Sequence, residues 1–390
     1  MPRVLIIQAV MKHYRIPFFT QLHSALQEED IELVVTYSPP NRMHALRTDS
    51  ASLPVEFGRE VRGYWFADRL LYQPLWSEIR RADLVITGQE NKYLINLWIF
   101  FLSVLRLKQV AFWGLGECKE EGQSSFSRWL RDRSLGAADW YFAYTKSIVS
   151  YLEYHGLASN RVTVVQNSTD TAELRRKLAE ITEEEVLDAK RELTGDSNTL
   201  IGLYCGALSR IKDLPFLLES SNKAHRQCPN FHLVIMGNGP ERAWVEKEVA
   251  GQPWVHYVGS KYGREAALYY KMANLFLLGG TAGLAVVDSF AAGLPLIATE
   301  LPTHPPEVSY LCDGQNGRIT PHDPDEFARA VVELLSTPSA MLRLREGAAM
   351  AGSKYTMEVM VRNFKSGVMN CLATSQTRRS VISRTFGRTS

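Results

Sequence analysis

Metal, redox and nucleotide-hydrolysis signatures are missing from this sequence. Its five cysteines, Cys118, Cys205, Cys228, Cys312 and Cys371, lie far apart with no CxxC pair and no histidine-rich companion. That spacing argues against a zinc site and for a reducing compartment. No GxxxxGK[ST] occurs, and the first strand does not lead into GxGxxG. A P-loop ATPase and a dinucleotide-dependent oxidoreductase therefore lose their usual signatures. The formal charge is only +2 over 390 residues, which supplies no global reason to bind nucleic acid. Long hydrophobic runs are scarce as well. The opening MPRVLIIQAV is too short an apolar run for a signal peptide and reads as a first buried strand. The longest apolar stretch, LINLWIFFLSVLRL at 94–107, is interrupted by Asn96, Ser103 and Arg106 and is too short to span a bilayer. It reads first as a buried helix, with Trp98, Phe100 and Phe101 in the core, and second as an interfacial anchor. The expected location is cytoplasmic, with the inner face of a membrane as a second reading.

What is present is ordinary globular composition, 45% apolar and 22% charged, over a length that suits two domains. Strand-like runs at 3–8, 31–37, 83–87, 109–113, 140–144 and 162–166 alternate with helical patterns such as 17–28 and 91–107. Such alternation implies a parallel sheet covered on both faces. Residues 172–195 are charged, helix-prone and poor in large apolar groups, which reads as an exposed connector closing at Gly195. A second alternating series follows at 200–205, 231–236, 255–258, 275–278 and 295–299. The expected fold class is therefore α/β, with two Rossmann-like domains at 1–170 and 171–355. A C-terminal helix at 356–372 would pack back on the first domain, and the arginine-rich tail at 373–390 reads as disordered, or as binding an anionic membrane. Pockets in doubly wound sheets form beyond the C-terminal strand ends, so two facing sheets make an interdomain cleft.

Several strand ends in the second series carry suitable chemistry. YCGALSRIKDL at 204–214 is a strand, Gly206, then Arg210 and Lys212 entering a helix. Glycine lets an anion approach the backbone, and two cations can neutralise a diphosphate; a solvated helix start reads equally well. VIMGNGPER at 234–242 ends its strand in Gly237, Asn238 and Gly239, a tight strand-to-helix turn that repeats the first placement. LLGGTAGLAVVDSF at 277–290 surrounds Thr281 and Ala282 with Gly279, Gly280 and Gly283, and its helix is expected near Leu284. Free amides there, with the positive end of the helix dipole, suit a phosphate. Asp288 could accept hydrogen bonds from ribose hydroxyls; close strand–helix packing is the other reading. Together these turns describe a nucleotide-diphosphate site. On the first series, QAVMKHYR at 8–15 places Lys12, His13 and Arg15 after the first strand, suiting an anionic ligand, with a structural histidine equally in view. Glu90 in TGQEN could meet a ligand hydroxyl or cap the next helix.

HLVIMGNGPER, VHYVGSKYGREAALYYKMANLFLL, GLAVVDSFAAGLPLIATELPTHPPEV and DGQNG follow one another in a fixed order, preceded by HYRIPFF and VTVVQNSTDT. This ordered set resembles the retaining GT-B glycosyltransferases of glycosyltransferase family four, over about residues 1–372 and most strongly over 200–317. The resemblance implies a GT-B fold, with the nucleotide-sugar donor on the second domain and the acceptor mainly on the first, where Lys12, His13, Arg15 and Glu90 are the acceptor-side candidates. It implies transfer with retention and no metal or other cofactor, a UDP- or GDP-sugar serving as substrate. Lys212 matches the family's donor-phosphate lysine, the Gly283 region its backbone phosphate cradle, and Asp288 the place of a ribose-binding glutamate. There are departures. The glutamate usual eight residues before that carboxylate is Gly280 here. The glycine-arginine pair before the lysine reads Gly206-Ala207, with Arg210 as a substitute charge. FWGLGE at 112–117 has Leu115 where relatives often carry histidine, leaving Glu117 as the nearest ionisable candidate.

The expected catalytic set is therefore Lys212, Arg210 and Glu117. The expected activity is hexosyl transfer to a saccharide, lipid-linked or related glycoconjugate acceptor, as in polysaccharide assembly, with peripheral membrane association and no nucleic-acid partner. A noncatalytic GT-B pseudo-transferase that binds nucleotide or glycan as a regulator or scaffold is the alternative. A GT-B epimerase or hydrolase comes third.

Overall fold

A computed structural model describes residues 1–41, 50–90, 92–116 and 125–386. The chain divides into two compact units, one of Met1–Asn167 together with the segment from Glu358 onward, the other of Ser168–Met357.

The first unit is built on a seven-stranded sheet in the order Gly58–Glu60, Glu32–Tyr37, Arg3–Ile7, Leu84–Thr87, Gln109–Gly114, Trp140–Ala143, Val162–Val164. Every pairing is parallel. These strands are near-continuous apolar runs because both faces are covered. Ile16–Gln27 begins with proline at its first turn, where the missing amide costs nothing, and buries Phe18, Phe19, Leu22 and Leu26. The terminal helix closes the same core: the Phe364 ring stacks on Phe142 at 4.2 Å, and Lys365 pairs with Glu29 at 2.7 Å. It runs Met357–Phe386, well past the expected end at 372, since no proline or glycine interrupts residues 368–386.

The second sheet has six parallel strands in the order Val255–Gly259, Phe231–Met236, Leu200–Cys205, Leu275–Leu278, Leu296–Thr299, Gly317–Thr320. Its topological switch point lies between Leu200–Cys205 and Leu275–Leu278, strands that share only two register positions. The segment expected as an exposed connector belongs to this unit instead. It forms Thr171–Ala179, capped by Asp170, and Glu183–Thr194, opened by a Thr182/Glu185 capping box and closed by Gly195 at φ 84°. Ile181 and Val186 are buried in the second core, with Leu174, Leu178 and Leu193 packed against it. A few apolar side chains at helical spacing are enough to seat a helix whose remaining surface is charged.

Candidate donor-binding site

At the switch point, the two loops that leave the diverging strands are stapled together. Lys212 ends the short turn Arg210–Lys212, after which Asp213 adopts φ 46° and caps the following helix by accepting from Phe216 N. The Lys212 ammonium donates to the Thr281 carbonyl at 2.5 Å. In return, the Thr281 amide and hydroxyl both donate to the Ile211 carbonyl, at 2.9 and 3.1 Å. Burial pulls the Lys212 pKa below its ordinary value, while the field of Glu307 works to raise it. Glu307 is 3% exposed on the turn Pro306–Tyr310. Its place after two prolines carries no local signal of a charge facing Lys212.

Gly283 leaves room at the lysine: a Cβ added there would come no nearer to Nζ than 4.0 Å. Gly280 differs. A Cβ there would stand 2.3 Å from the Lys212 carbonyl carbon and 2.5 Å from the Ile211 oxygen, so the loop can lie on the lysine's turn only without a side chain. The Ala282 amide is spent on His304 Nδ1 at 2.9 Å, and His304 Nε2 lies 2.7 Å from the Thr299 carbonyl. These contacts require the neutral ring with its proton on Nε2, which donates to Thr299 while Nδ1 accepts. Thr299 in turn donates its hydroxyl to the Gly279 carbonyl at 2.9 Å. The expected cradle is thus partly committed to internal bonds at Thr281 and Ala282. The helix Ala285–Ala291 starts after Leu284, and its first amides are also spent inward: Val286 N donates to the Gly283 carbonyl at 3.1 Å, and Val287 N and Asp288 N to the Leu284 carbonyl at 2.9 and 3.3 Å.

Asp288 is held by Thr169, whose hydroxyl donates to Oδ1 at 2.6 Å. Burial pushes the carboxyl up to about 6 from its ordinary 3.8, against the Thr169 hydrogen bond, which lowers it. A carboxyl whose folded pKa is raised stabilises the fold at low pH and loses that contribution as pH rises through 3.8 toward 6. Above that window the carboxylate, half-buried by exposed area, costs at most on the order of 3 kcal/mol. Asp288→Asn keeps the acceptor for Thr169 and removes the charge. It is expected to raise the melting temperature of the free protein at pH 8 by on the order of 5 °C, with the gain shrinking toward pH 5. Melts of both proteins across that range check this.

The glycines of the second turn serve the backbone. Gly237 sits at φ 148°, and a Cβ there would meet the Gly206 oxygen at 1.9 Å; one on Gly239 would meet the Leu208 oxygen at 2.3 Å. Gly206 N donates to Met236 O, and Leu208 N to Asn238 O, both at 3.0 Å. So the structure brings Gly206, Gly237, Asn238 and Gly239 together as one pair of abutting strand-end loops, and Lys212, Gly280, Thr281 and Gly283 as another. Arg210 is exposed.

In the first unit, Arg15 is corrected. It is 5% exposed, with its guanidinium 4.8 Å from the Trp113 ring centre and donating to the Tyr144 hydroxyl at 3.3 Å. Aromatic faces thus hold the cation inside the fold rather than presenting it to an acceptor. His13 is exposed and Lys12 half-buried at the same turn. Glu90 is exposed and pairs with Lys92, while its carbonyl accepts from Asn96 at 2.9 Å. Glu117 lies outside the described residues. Among the described residues, no group of three or more His, Cys, Asp or Glu side chains is placed to hold a metal ion.

Residues 199–337, which contain this switch point, match the family model described as "Glycosyl transferases group 1". The chain resembles the GT-B glycosyltransferases. Crystal structures with the same architecture include Anabaena Alr3699/HepE in complex with UDP, with a TM-score of 0.72 at 14% identity, covering 95% of this chain and 100% of that one. Another is the pneumococcal O-GlcNAc transferase GtfA in complex with UDP and GlcNAc, with a TM-score of 0.63 at 11% identity, covering 95% and 99%. The fold is therefore GT-B, with two parallel-sheet Rossmann-like units. Among curated proteins, the alpha-monoglucosyldiacylglycerol synthase of Acholeplasma laidlawii is 23% identical over 188 residues, 47% of this chain and 46% of that one. The alpha-D-kanosaminyltransferase of Streptomyces kanamyceticus is 21% identical over 361 residues, 82% and 92%. The chain spans less than half the length of several curated relatives, including the synthase at 46% and two streptococcal GtfA subunits at 24% and 34%.

Proposed function

We propose that this GT-B protein is a retaining, hexosyltransferase-like enzyme. It moves a sugar from a nucleoside-diphosphate donor to a hydroxyl of a saccharide, lipid-linked or related glycoconjugate acceptor, in the cytoplasm. The observation that carries the reading is the half-buried Lys212 ammonium, fixed on the Thr281 carbonyl beside the open Gly283 position at the sheet's switch point. Ligands of open α/β sheets bind at such points.

Lys212 neutralises the charge that grows on the departing diphosphate, and its partial burial strengthens that interaction. Amides of the turn at 283–285, ahead of those already bonded to Gly283 and Leu284, receive a phosphate oxygen. Asp288 accepts from the ribose diol through the oxygen that Thr169 leaves. In the transfer, the bond from the anomeric carbon to the diphosphate oxygen breaks and the acceptor oxygen bonds to that carbon on the same face. The acceptor's proton passes to the departing diphosphate. No side chain stands at residue 280 to act as a nucleophile, which suits a same-face route. On the acceptor side, Lys12, His13 and Glu90 remain the first residues to vary.

UDP is the first probe, because structures similar to this one were solved with it. Saturating UDP or GDP at about 100 times its dissociation constant is expected to stabilise the fold by about 2.7 kcal/mol, read as a thermal shift. Silence across a nucleotide panel, in melts and in direct titration, would remove the donor reading. Proton NMR of the first-formed product then reports retention or inversion. The packed glycine at 280 also favours a second reading, a pseudo-transferase that binds nucleotide without turnover. Donor that binds but is never consumed with its genuine acceptor present would select that alternative.

A further inference from the structure

We propose that the first unit docks on an anionic lipid bilayer through the outer face of the helix Ile95–Val104, with a lipid phosphate seated in the groove beside it. This helix buries Ile95, Asn96, Ile99 and Ser103 against its own unit. The opposite face was expected in the core, and it is not. Trp98 and Phe101 are each 51% exposed, with Leu97 and Val104 also exposed alongside them. These positions recur at helical spacing, so they form one continuous strip rather than scattered contacts. The strip continues into Leu105 and Leu107, and Trp76 joins it from the neighbouring helix Trp76–Arg81, its ring 5.2 Å from that of Trp98.

A groove of about 570 Å³ opens between this helix and Ser125–Ala137. Arg106, Arg133 and Arg161 line it, with Asp139 as the one acid among the lining residues. That carboxylate is already committed in part, accepting the Val110 amide at 3.0 Å. Trp129, 58% exposed, stands at the same groove. Aromatic and aliphatic side chains beside a cluster of arginines match the boundary between acyl chains and anionic headgroups. Tryptophan settles at that depth, and arginine stems lie along apolar surface while their charges reach phosphate. A ten-residue helix lies in the plane of such a boundary and does not cross it. Among the described residues no helix is long and apolar enough to span a membrane. The excess of arginine favours an anionic surface over a neutral one and over an uncharged protein face.

The test is flotation of the full chain with vesicles of phosphatidylcholine alone, or carrying about 30% phosphatidylglycerol, an anionic fraction chosen to give a negative surface potential. The wild-type chain is expected to float with the anionic vesicles at least tenfold more than with the neutral ones. Raising salt from about 0.1 M to 0.5 M should remove most of that preference. Trp98→Ser with Phe101→Ser should reduce flotation about tenfold. Arg106→Ala with Arg133→Ala should abolish the preference for anionic vesicles. All four side chains lie outside the donor site, so the nucleotide-induced thermal shift should be unchanged in both variants, and the lipid and donor readings can fail separately. Equal flotation on the two vesicle types, or flotation insensitive to both variants, would overturn the proposal. So would a lipid-free dimer in light scattering that Trp98→Ser with Phe101→Ser converts to monomer, since a second copy would then own the strip.

Discussion

Replacing Lys212 with alanine should lower donor-dependent transfer by about a hundredfold to a thousandfold while leaving the melting temperature close to wild type. The ammonium donates one hydrogen bond, to the Thr281 carbonyl, and that same loop is also held through Ile211, Thr299 and His304. Losing one of several ties leaves the loop in place. In the proposed mechanism, losing the charge removes the group that meets the leaving diphosphate, in surroundings that weaken water's screening. Lys212→Met, which keeps most of the apolar stem, should fall as far as alanine, whereas a purely packing role would let methionine recover. Steady-state kinetics on both variants, with melts as the control, decide it. Activity within about threefold of wild type, a cost below roughly 1 kcal/mol, would take Lys212 out of the mechanism.

Introducing glutamate at 280, the residue type usual at that position in the resembling family, should damage this protein. The added Cβ would fall 2.3 Å from the Lys212 backbone, and backbone cannot rotate away as a side-chain tip can. Either Arg210–Lys212 or the loop at 279–283 must shift, at a cost of about 3 kcal/mol, and Lys212 moves with it. Gly280→Glu is therefore expected to melt lower and to lose most nucleotide binding. Gly280→Ala should show the same defects in milder form, because the conflict begins at Cβ. A stable, more active Gly280→Glu variant would mean that the loop opens readily.

Much of the architecture was readable because buried parallel strands leave plain marks. Leu200–Cys205, Phe231–Met236 and Leu275–Leu278 are short apolar runs that stop at glycine or at polar turns, and they form where that pattern puts them. Lys212 and the loop at 280–283 could be singled out because loop chemistry at a strand end is local, and the fold puts the two in contact. What escaped depends on partners distant along the chain. The Asp288 carboxyl is tuned by Thr169, 119 residues away. Nothing local to His304 marks it as the ring that holds the Ala282 amide, 22 residues away. Arg15 reads as an available cation until Trp113 and Tyr144 fold around it. The reverse error occurred at Trp98 and Phe101, where apolar composition promised burial, but the unit offers them no covering element among its described residues.

The terminal helix bears on the order in which the protein is made. Ser168–Met357 is a continuous stretch, so the second unit has all its residues before the chain is finished. The first unit does not, because fully buried Phe364, Val368 and Cys371 complete its core. Domains ordinarily fold in the order they leave the ribosome; here the unit that emerges first must wait longest for its final pieces. Until then the Phe142 ring lacks its stacking partner, and the growing chain carries an unfinished sheet beside a finished one. Nascent chains halted at residue 357 should therefore resist protease across the second unit while remaining open to cleavage across the first.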